Sequence, residues 1–360
     1  MTSLDSYITL GHSGLRVSPI GLGTMTFGED HGWGATVETS EAILTEYLDR
    51  GGNLIDTANA YTNGHSEKII GDYFAKRPGQ RDRIVLSTKF LANMFPGDPN
   101  GGGAGRKAML SQLEESLRRL QTDYIDLYWL HGWDRGAPIE ETLRALDDLV
   151  TAGKIRYIGL SDMPAWVASR AQTIASFRGW APVTALQLEY SLLERTSEGE
   201  LLPMAQALGI GVMPWSPLRS GKLSGKYTRD GSGGEGSRAV MFGQPAEHDW
   251  PTIDAVAQVA TDLGVSSAEV ALAWVLGRPG ISSTLIGART VDQLHANLGS
   301  LDVALTAEQR VKLDEVSAPA LDFPATITSI SANVAFGGMT VDGTAYPAFI
   351  VNGKQRQSEY

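Results

Sequence analysis

The sequence contains no cysteine in its 360 residues. Disulfides, thiolate nucleophiles and cysteine-ligated metals are therefore excluded. It also lacks any uninterrupted apolar stretch near the roughly 18–20 residues that a membrane helix needs. The opening segment, MTSLDSYITLGHSG, has neither a basic n-region nor an apolar h-region. No secretory signal is read there, and a cytoplasmic location is the expectation. Basic runs are missing as well. The 30 Lys and Arg against 41 Asp and Glu give a net charge of −11, scattered without blocks. A nucleic-acid partner would need a basic stripe, so none is expected, and the acidic balance argues mainly for solubility. The histidines and carboxylates form no cluster with ligand spacing, so no metal is expected either.

Three nucleotide motifs are absent on inspection. Gly21-Leu-Gly23-Thr-Met-Thr26 supplies two glycines of a dinucleotide fingerprint, but the third position is Thr26 and no helix opens there. The run ending at Gly105-Arg106-Lys107 lacks the spacing and the Ser/Thr of a phosphate loop. No tyrosine is followed four residues later by lysine, which removes the short-chain-dehydrogenase pair.

What is present is a repeat. With 42% apolar and 20% charged residues the chain has the composition of a soluble globular protein. Its length alone fits one large domain or several smaller ones. Short apolar runs at Ile20–Leu22, Asn53–Asp56, Ile84–Thr88, Ile125–Leu130, Ile155–Leu160, Ala185–Leu188, Gly211–Pro214 and Ser283–Leu285 alternate with amphipathic stretches. The predicted helices include Ser40–Arg50, capped by Ser40, and 106–120, with Leu110, Leu113, Leu117 and Leu120 on one face. They also include 139–152, closed by Gly153, and a helix with Pro164 in its first turn. Strands this short and apolar suit a parallel sheet buried on both faces. Eight βα units match an α/β fold of the (β/α)₈ barrel type better than a doubly wound sheet. The expectation is a single domain over residues 1–360, with the barrel at about 18–317 and a tail at about 320–360 that shows no helical period. Tyr7–Leu10 and Leu15–Val17 read as a β-hairpin ahead of the barrel, plugging its bottom. The glycine-rich segments Pro96–Gly105 and Asp230–Gly236 belong on the catalytic face in this reading.

Four residues stand at the C-terminal ends of successive predicted strands. Asp56 closes the second run and Tyr61 follows in DTANAY, Lys89 closes the third, and His131 the fourth. Strand ends converge on one face of a barrel, where active sites are built. Reducing a carbonyl by hydride requires a proton for the developing alkoxide. A phenol with a pKa near 10 donates reluctantly at neutral pH, and a neighbouring lysine cation lowers that pKa. Aspartate would hold the lysine charged, and histidine would hydrogen-bond the carbonyl oxygen.

With these residues the chain resembles the aldo-keto reductases, barrel enzymes that bind NADPH without a Rossmann fold. Asp56, Tyr61, Lys89 and His131 match that family's catalytic tetrad. The blocks GLGTMTFG, GGNLIDTANAY, DYIDLYWLH, GKIRYIGLSD, LQLEYSLLER, GVMPWSPL and LIGARTVDQLHANL are similar to the family's in order and strand position. The resemblance spans about Tyr7 to Ser317.

The resemblance implies a cofactor path. Thr24, Met25 and Asp56 would flank the nicotinamide ribose, Ser161 and Gln187 would hold the carboxamide, and Trp215 would stack beneath the ring. Ser216, Pro217, Leu218, Ser220 and Lys226 would line the pyrophosphate, and Gly287, Arg289, Gln293 and Asn297 would receive the adenosine end. Gly287 allows close backbone approach at a helix N-terminus, and the Arg289 fork suits a 2′-phosphate, which favours NADPH/NADP over NADH. One departure stands out: Asp162 occupies a position where many members of the family have asparagine, and it cannot donate to the carboxamide oxygen.

The implied reaction is NADPH-dependent reduction of an aldehyde or ketone, with Tyr61 as the acid. Met25, Trp33, Phe90, Trp133 and Met163 follow strand ends and are candidate walls of an apolar substrate pocket. Several blocks also resemble the potassium-channel β-subunits, barrels that keep the cofactor and dock on a channel. That regulatory alternative has asparagine where this chain has His131, which favours catalysis here.

Overall fold

The computed structural model describes residues 3–229 and 243–348. The chain opens with an antiparallel hairpin of β1 (Ile8–Thr9) and β2 (Arg16–Val17). Eight parallel strands follow: β3 (Ile20–Gly23), β4 (Leu54–Asp56), β5 (Val85–Phe90), β6 (Ile125–Leu130), β7 (Ile155–Ser161), β8 (Val183–Glu189), β9 (Gly211–Trp215) and β10 (Thr284–Ile286). They pair in chain order, and β10 lies beside β3. Between β9 and β10 the ring closes through a parallel bridge from Val212 to Ile281. Helices α1 (Val37–Asp49), α2 (His65–Ala75), α3 (Arg106–Leu120), α4 (Ile139–Thr151), α5 (Ala165–Arg178) and α6 (Leu201–Leu208) each follow a strand. After β9 come α7 (Trp250–Leu263) and α8 (Ser267–Leu276), and after β10 comes α9 (Val291–Leu298). This is the (β/α)₈ barrel that the alternation predicts.

The pleat of the strands sorts the core into two clusters. Leu54, Val85, Leu127, Trp129, Ala185, Met213 and Leu285 fill the barrel interior, while Ile55, Leu86, Tyr128 and Leu130 pack outward with the helices. Successive side chains point to opposite faces, so every second residue shares a side. The interior is crowded. A Cβ on Gly159 would come within 2.1 Å of the Trp129 ring, so only glycine leaves room for that indole. Leu10 and Val17 of the hairpin join the interior cluster and seal the bottom, as expected.

Several boundaries differ from the sequence reading for identifiable reasons. α1 begins at Val37 with Thr36 as its cap, its Oγ1 accepting from Thr39 N at 3.2 Å, while Ser40 is buried inside the helix. In α3 the buried stripe runs through Met109, Leu113, Leu117 and Leu120, and Leu110 is exposed. Pro164 precedes α5 in the cap position and does not sit in its first turn. The end of the barrel segment and the tail after about residue 320 are more helical than expected. Residues Ala307–Val316 form α10, opened by a capping box of Thr306 and Gln309, and Ala325–Phe336 form α11. A small hairpin of β11 (Thr340–Val341) and β12 (Thr344–Ala345) follows. α11 carries no charge and exposes Ile327, Ile330 and Val334, so it lacks the one-sided burial that makes a helix legible. The expected loop at Asp230–Gly236 lies outside the described residues.

Candidate active site

The interior parity of β4, β5 and β6 carries through to the strand tops. Leu54, Val85 and Lys89, and Leu127 and Trp129, share the inward side, so Asp56, Lys89 and His131 follow at the mouth by steps of two. Lys89 is fully buried, and its ammonium donates to Asp56 Oδ2, to Thr57 O at 2.9 Å and to the Tyr61 hydroxyl at 3.0 Å. Its three donors are thereby used. Asp56 Oδ1 accepts from Ser87 Oγ at 2.6 Å and from Gln187 Nε2 at 3.2 Å. The Tyr61 and His131 rings meet edge-on, with centroids 5.9 Å apart. The four residues come together in one place.

Tyr61 is aimed by an unusual turn. Thr62, Asn63 and Gly64 all adopt left-handed conformations, with φ of 46°, 55° and 89°. A β-branched residue there is strained and persists only where its surroundings fix it. Thr62 Oγ1 supplies the fixing, donating to Phe27 O at 2.9 Å and accepting from Ser66 N at 3.0 Å.

Burial dominates the electrostatics. It pushes the Tyr61 phenol above its usual value, while the Lys89 cation pulls the other way. The lysine thus acts in the direction anticipated, but loss of water outweighs it and the resting phenol keeps its proton. Burial also works to discharge Lys89, but Asp56 and Tyr61 overcome it and hold the ammonium above its ordinary value. His131 is driven down to about 3 by burial, with Lys89 adding to the effect, so its imidazole is neutral. A neutral imidazole and a protonated phenol each carry one hydrogen-bond donor.

A groove of about 350 Å³ extends from the mouth. Ser216, Pro217, Leu218, Ser220 and Lys226 line one side, and Gly287, Arg289, Gln293 and Asn297 the other. These are the residues assigned to the pyrophosphate and adenosine ends. Ser216, Arg219 and Ser220 have φ of 51°, 47° and 55°, a left-handed run that turns the loop over the groove. Opposite it, Thr290 caps α9, Gln293 Oε1 accepts from Arg289 N at 2.9 Å, and Asn297 Nδ2 holds Gly287 O at 3.2 Å. Thr26, Gly221, Ser224 and Ser266 also line the groove and were missed, since isolated small polar residues carry no periodic signal. Ser87 was missed too, although its place two residues before Lys89 on the same face was readable.

The nicotinamide end of the path fits in part. Ser161 is buried at the top of β7 beside Gln187 on β8, and its hydroxyl lies by the Asp162 carboxyl, whose pKa it lowers against the rise that burial causes. Asp162 sits at φ 48° and accepts from Trp215 Nε1 at 3.0 Å, so one carboxylate oxygen is engaged with the indole. Thr24 is fully buried and its Oγ1 donates to Asp56 O at 3.0 Å, so it ties strand tops together, while Met25 is half-buried.

The proposed substrate walls divide. Trp133 is half-buried and meets Trp166 edge-on at 5.3 Å, Trp33 is half-buried near His31, and Met163 is buried. Phe90 does not belong in the wall. It follows Lys89 and so faces the helix layer, fully buried and stacked on Tyr128 at 4.7 Å.

A barrel with this Asp–Lys–Tyr arrangement at its mouth and a polar groove beside it defines a class of oxidoreductase. The chain belongs to the aldo/keto reductase family, whose model matches residues 19–318. Among its relatives, the oxidoreductase YrpG of Bacillus subtilis (strain 168) is 38% identical over 319 residues, covering 86% of this chain and 95% of that one. Norsolorinic acid reductase B of Aspergillus parasiticus is 38% identical, covering 82% and 79%. The aryl-alcohol dehydrogenase (NADP(+)) of Phanerodontia chrysosporium is 34% identical, covering 84% and 83%. The chain is accordingly an NAD(P)H-dependent carbonyl reductase by family.

Proposed function

We propose that this protein reduces an aldehyde or ketone to an alcohol with NADPH, and that Tyr61 is the general acid. The observation that carries this reading is Lys89 Nζ held between Asp56 Oδ2 and the Tyr61 hydroxyl, with the neutral His131 ring alongside. The reduced nicotinamide, when bound, supplies the hydride. Tyr61 and His131 both direct hydrogen bonds at the carbonyl oxygen, polarising it and fixing its position. As negative charge develops on that oxygen, the Tyr61 proton moves to it. The phenolate left behind is stabilised by Lys89, whose own charge is anchored by Asp56. The phenol, raised further by burial, is protonated at rest and so is available as the acid.

Ser161 Oγ would donate to the carboxamide oxygen and the Gln187 side-chain oxygen would accept from its amino group. Trp215, pinned through Asp162, would lie against the ring. NADPH over NADH rests on Arg289 at the groove's far end and on the NADP(+) in the name of the aryl-alcohol dehydrogenase relative. The same relative makes an aromatic aldehyde the first substrate to test. For the Tyr61→Phe variant, loss of acid catalysis should lower kcat by about 10²–10⁴-fold. NADPH affinity, measured by fluorescence titration, should be unchanged. Full turnover in this variant would overturn the assignment, and bound cofactor without turnover in the wild type would favour the regulatory alternative.

A further inference from the structure

The turn that aims Tyr61 rests on a further buried ion pair, one that the reaction itself does not use. Glu67 lies in the first turn of α2, just after the left-handed run of Thr62, Asn63 and Gly64, and is fully buried. Arg119 Nε, in the last turn of α3, donates to its Oε2 at 2.6 Å. Thr88 Oγ1, on β5, donates to its Oε1 at 2.5 Å. We propose that Arg119, Glu67 and Thr88 are positioning residues for the general acid, holding the Tyr61 hydroxyl where Lys89 can stabilise its phenolate. The proposal rests on the reading of Tyr61 as that acid.

The three residues reach both ends of the Tyr61–Lys89 contact. Thr88 precedes Lys89, so the two side chains leave opposite faces of β5, Lys89 toward the barrel mouth and Thr88 toward the helix layer. At the other end, the Arg119 side chain lies against the turn. A Cβ on Gly64, at φ 89°, would come within 2.9 Å of Arg119 Cδ and Nε. One carboxylate thus ties the strand that carries the lysine to the turn that carries the tyrosine. Thr62 Oγ1 anchors the same turn to Phe27 O and Ser66 N, so the turn is held from two sides.

Burial explains why a charged pair matters here. Glu67 has no exposure and the Arg119 side chain is 17% exposed. The outer nitrogens of Arg119 turn to Ser116 Oγ at 3.5 Å and Glu115 Oε2 at 3.7 Å. Such a pair adds little net stability over apolar residues of similar size, but removing one partner strands the other charge. Its value is geometric. Each Glu67 oxygen has its own donor, one from α3 and one from β5, so a shift of α2 against either breaks a charge-assisted bond. A misplacement of about 1 Å at a reacting group can cost about 100-fold in rate.

The test is single-turnover reduction of an aromatic aldehyde, with enzyme in excess over NADPH and the aldehyde saturating. The rate constant then reports the folded complex, and loss of folded protein shows only in the amplitude. Arg119→Met should lower that rate constant about tenfold or more, with NADPH affinity and aldehyde KM within about twofold of wild type. Arg119→Lys keeps a charge beside Glu67 and should recover part of the loss. Thr88→Val removes the hydroxyl that joins β5 to Glu67, keeps the ion pair, and should slow transfer in the same sense. It carries the test should Arg119→Met fail to fold. In a Tyr61→Phe background neither substitution should slow the residual reaction further, because the effect passes through the phenol. An unchanged rate constant, an Arg119→Lys variant as slow as Arg119→Met, or an equal fall in the Tyr61→Phe background would each overturn the proposal. Full turnover by Tyr61→Phe alone would remove the acid assignment itself, so the two failures are distinguishable.

Discussion

Replacing His131 with asparagine probes the electrostatics of the site through stability, without any substrate. The imidazole value falls from 6.5 to about 3 on folding, because burial strips its water and Lys89 opposes a second positive charge. The unfolded chain therefore binds the extra proton more readily than the native one. The contribution of the neutral ring is complete above pH 6.5 and is lost as the pH falls from 6.5 toward 3, at about 1.4 kcal/mol per pH unit. Integrated from pH 7 down to pH 5, the loss is about 2 kcal/mol. The asparagine variant has no titrating group at this position and escapes the loss. Urea unfolding of both proteins at pH 5, 6, 7 and 8, followed by circular dichroism, should show their stability difference shifting by that amount toward the variant on acidification. A difference that stays constant with pH would mean that the ring titrates alike in both states. A shift in the opposite direction would mean that His131 is held as a cation, and its role as a neutral donor would fall.

Three further outcomes follow from the geometry. Lys89→Met leaves the Asp56 carboxylate buried without its cation and should cost about 3–5 kcal/mol in denaturant unfolding, in addition to abolishing reduction. The raised Tyr61 value keeps the phenol protonated through neutral pH, so kcat/KM for aldehyde reduction should fall only on the alkaline side, above the ordinary tyrosine value of about 10. An inflection near 7 would contradict the buried, protonated phenol. Arg289→Ala should weaken NADPH by about tenfold or more while NADH affinity is unchanged, which competitive titration of the two nucleotides would show.

Much of the fold was legible because its signals are local and repeated. The strand-and-helix alternation, the helix-closing glycines and the hairpin ahead of the barrel all come from short-range pattern. Lys89 could be placed at the mouth because it closes the third apolar run. The strand's alternation, had it been followed, would have turned Phe90 away from it. Illegible features lack a period. α11 has no buried stripe to announce it, and the Thr36 cap was hidden because a neighbouring serine and threonine offered the same chemistry.

The sequence by itself determined that Asp56, Tyr61, Lys89 and His131 stand at strand ends, because chain order and side-chain alternation decide that. Only the tertiary structure decided how far the proton affinities of Tyr61, Lys89 and His131 are displaced. Burial raises the Tyr61 phenol above a value that already keeps it protonated at neutral pH, and drives the His131 imidazole down to about 3, a consequence of enclosure that no linear pattern of residues encodes.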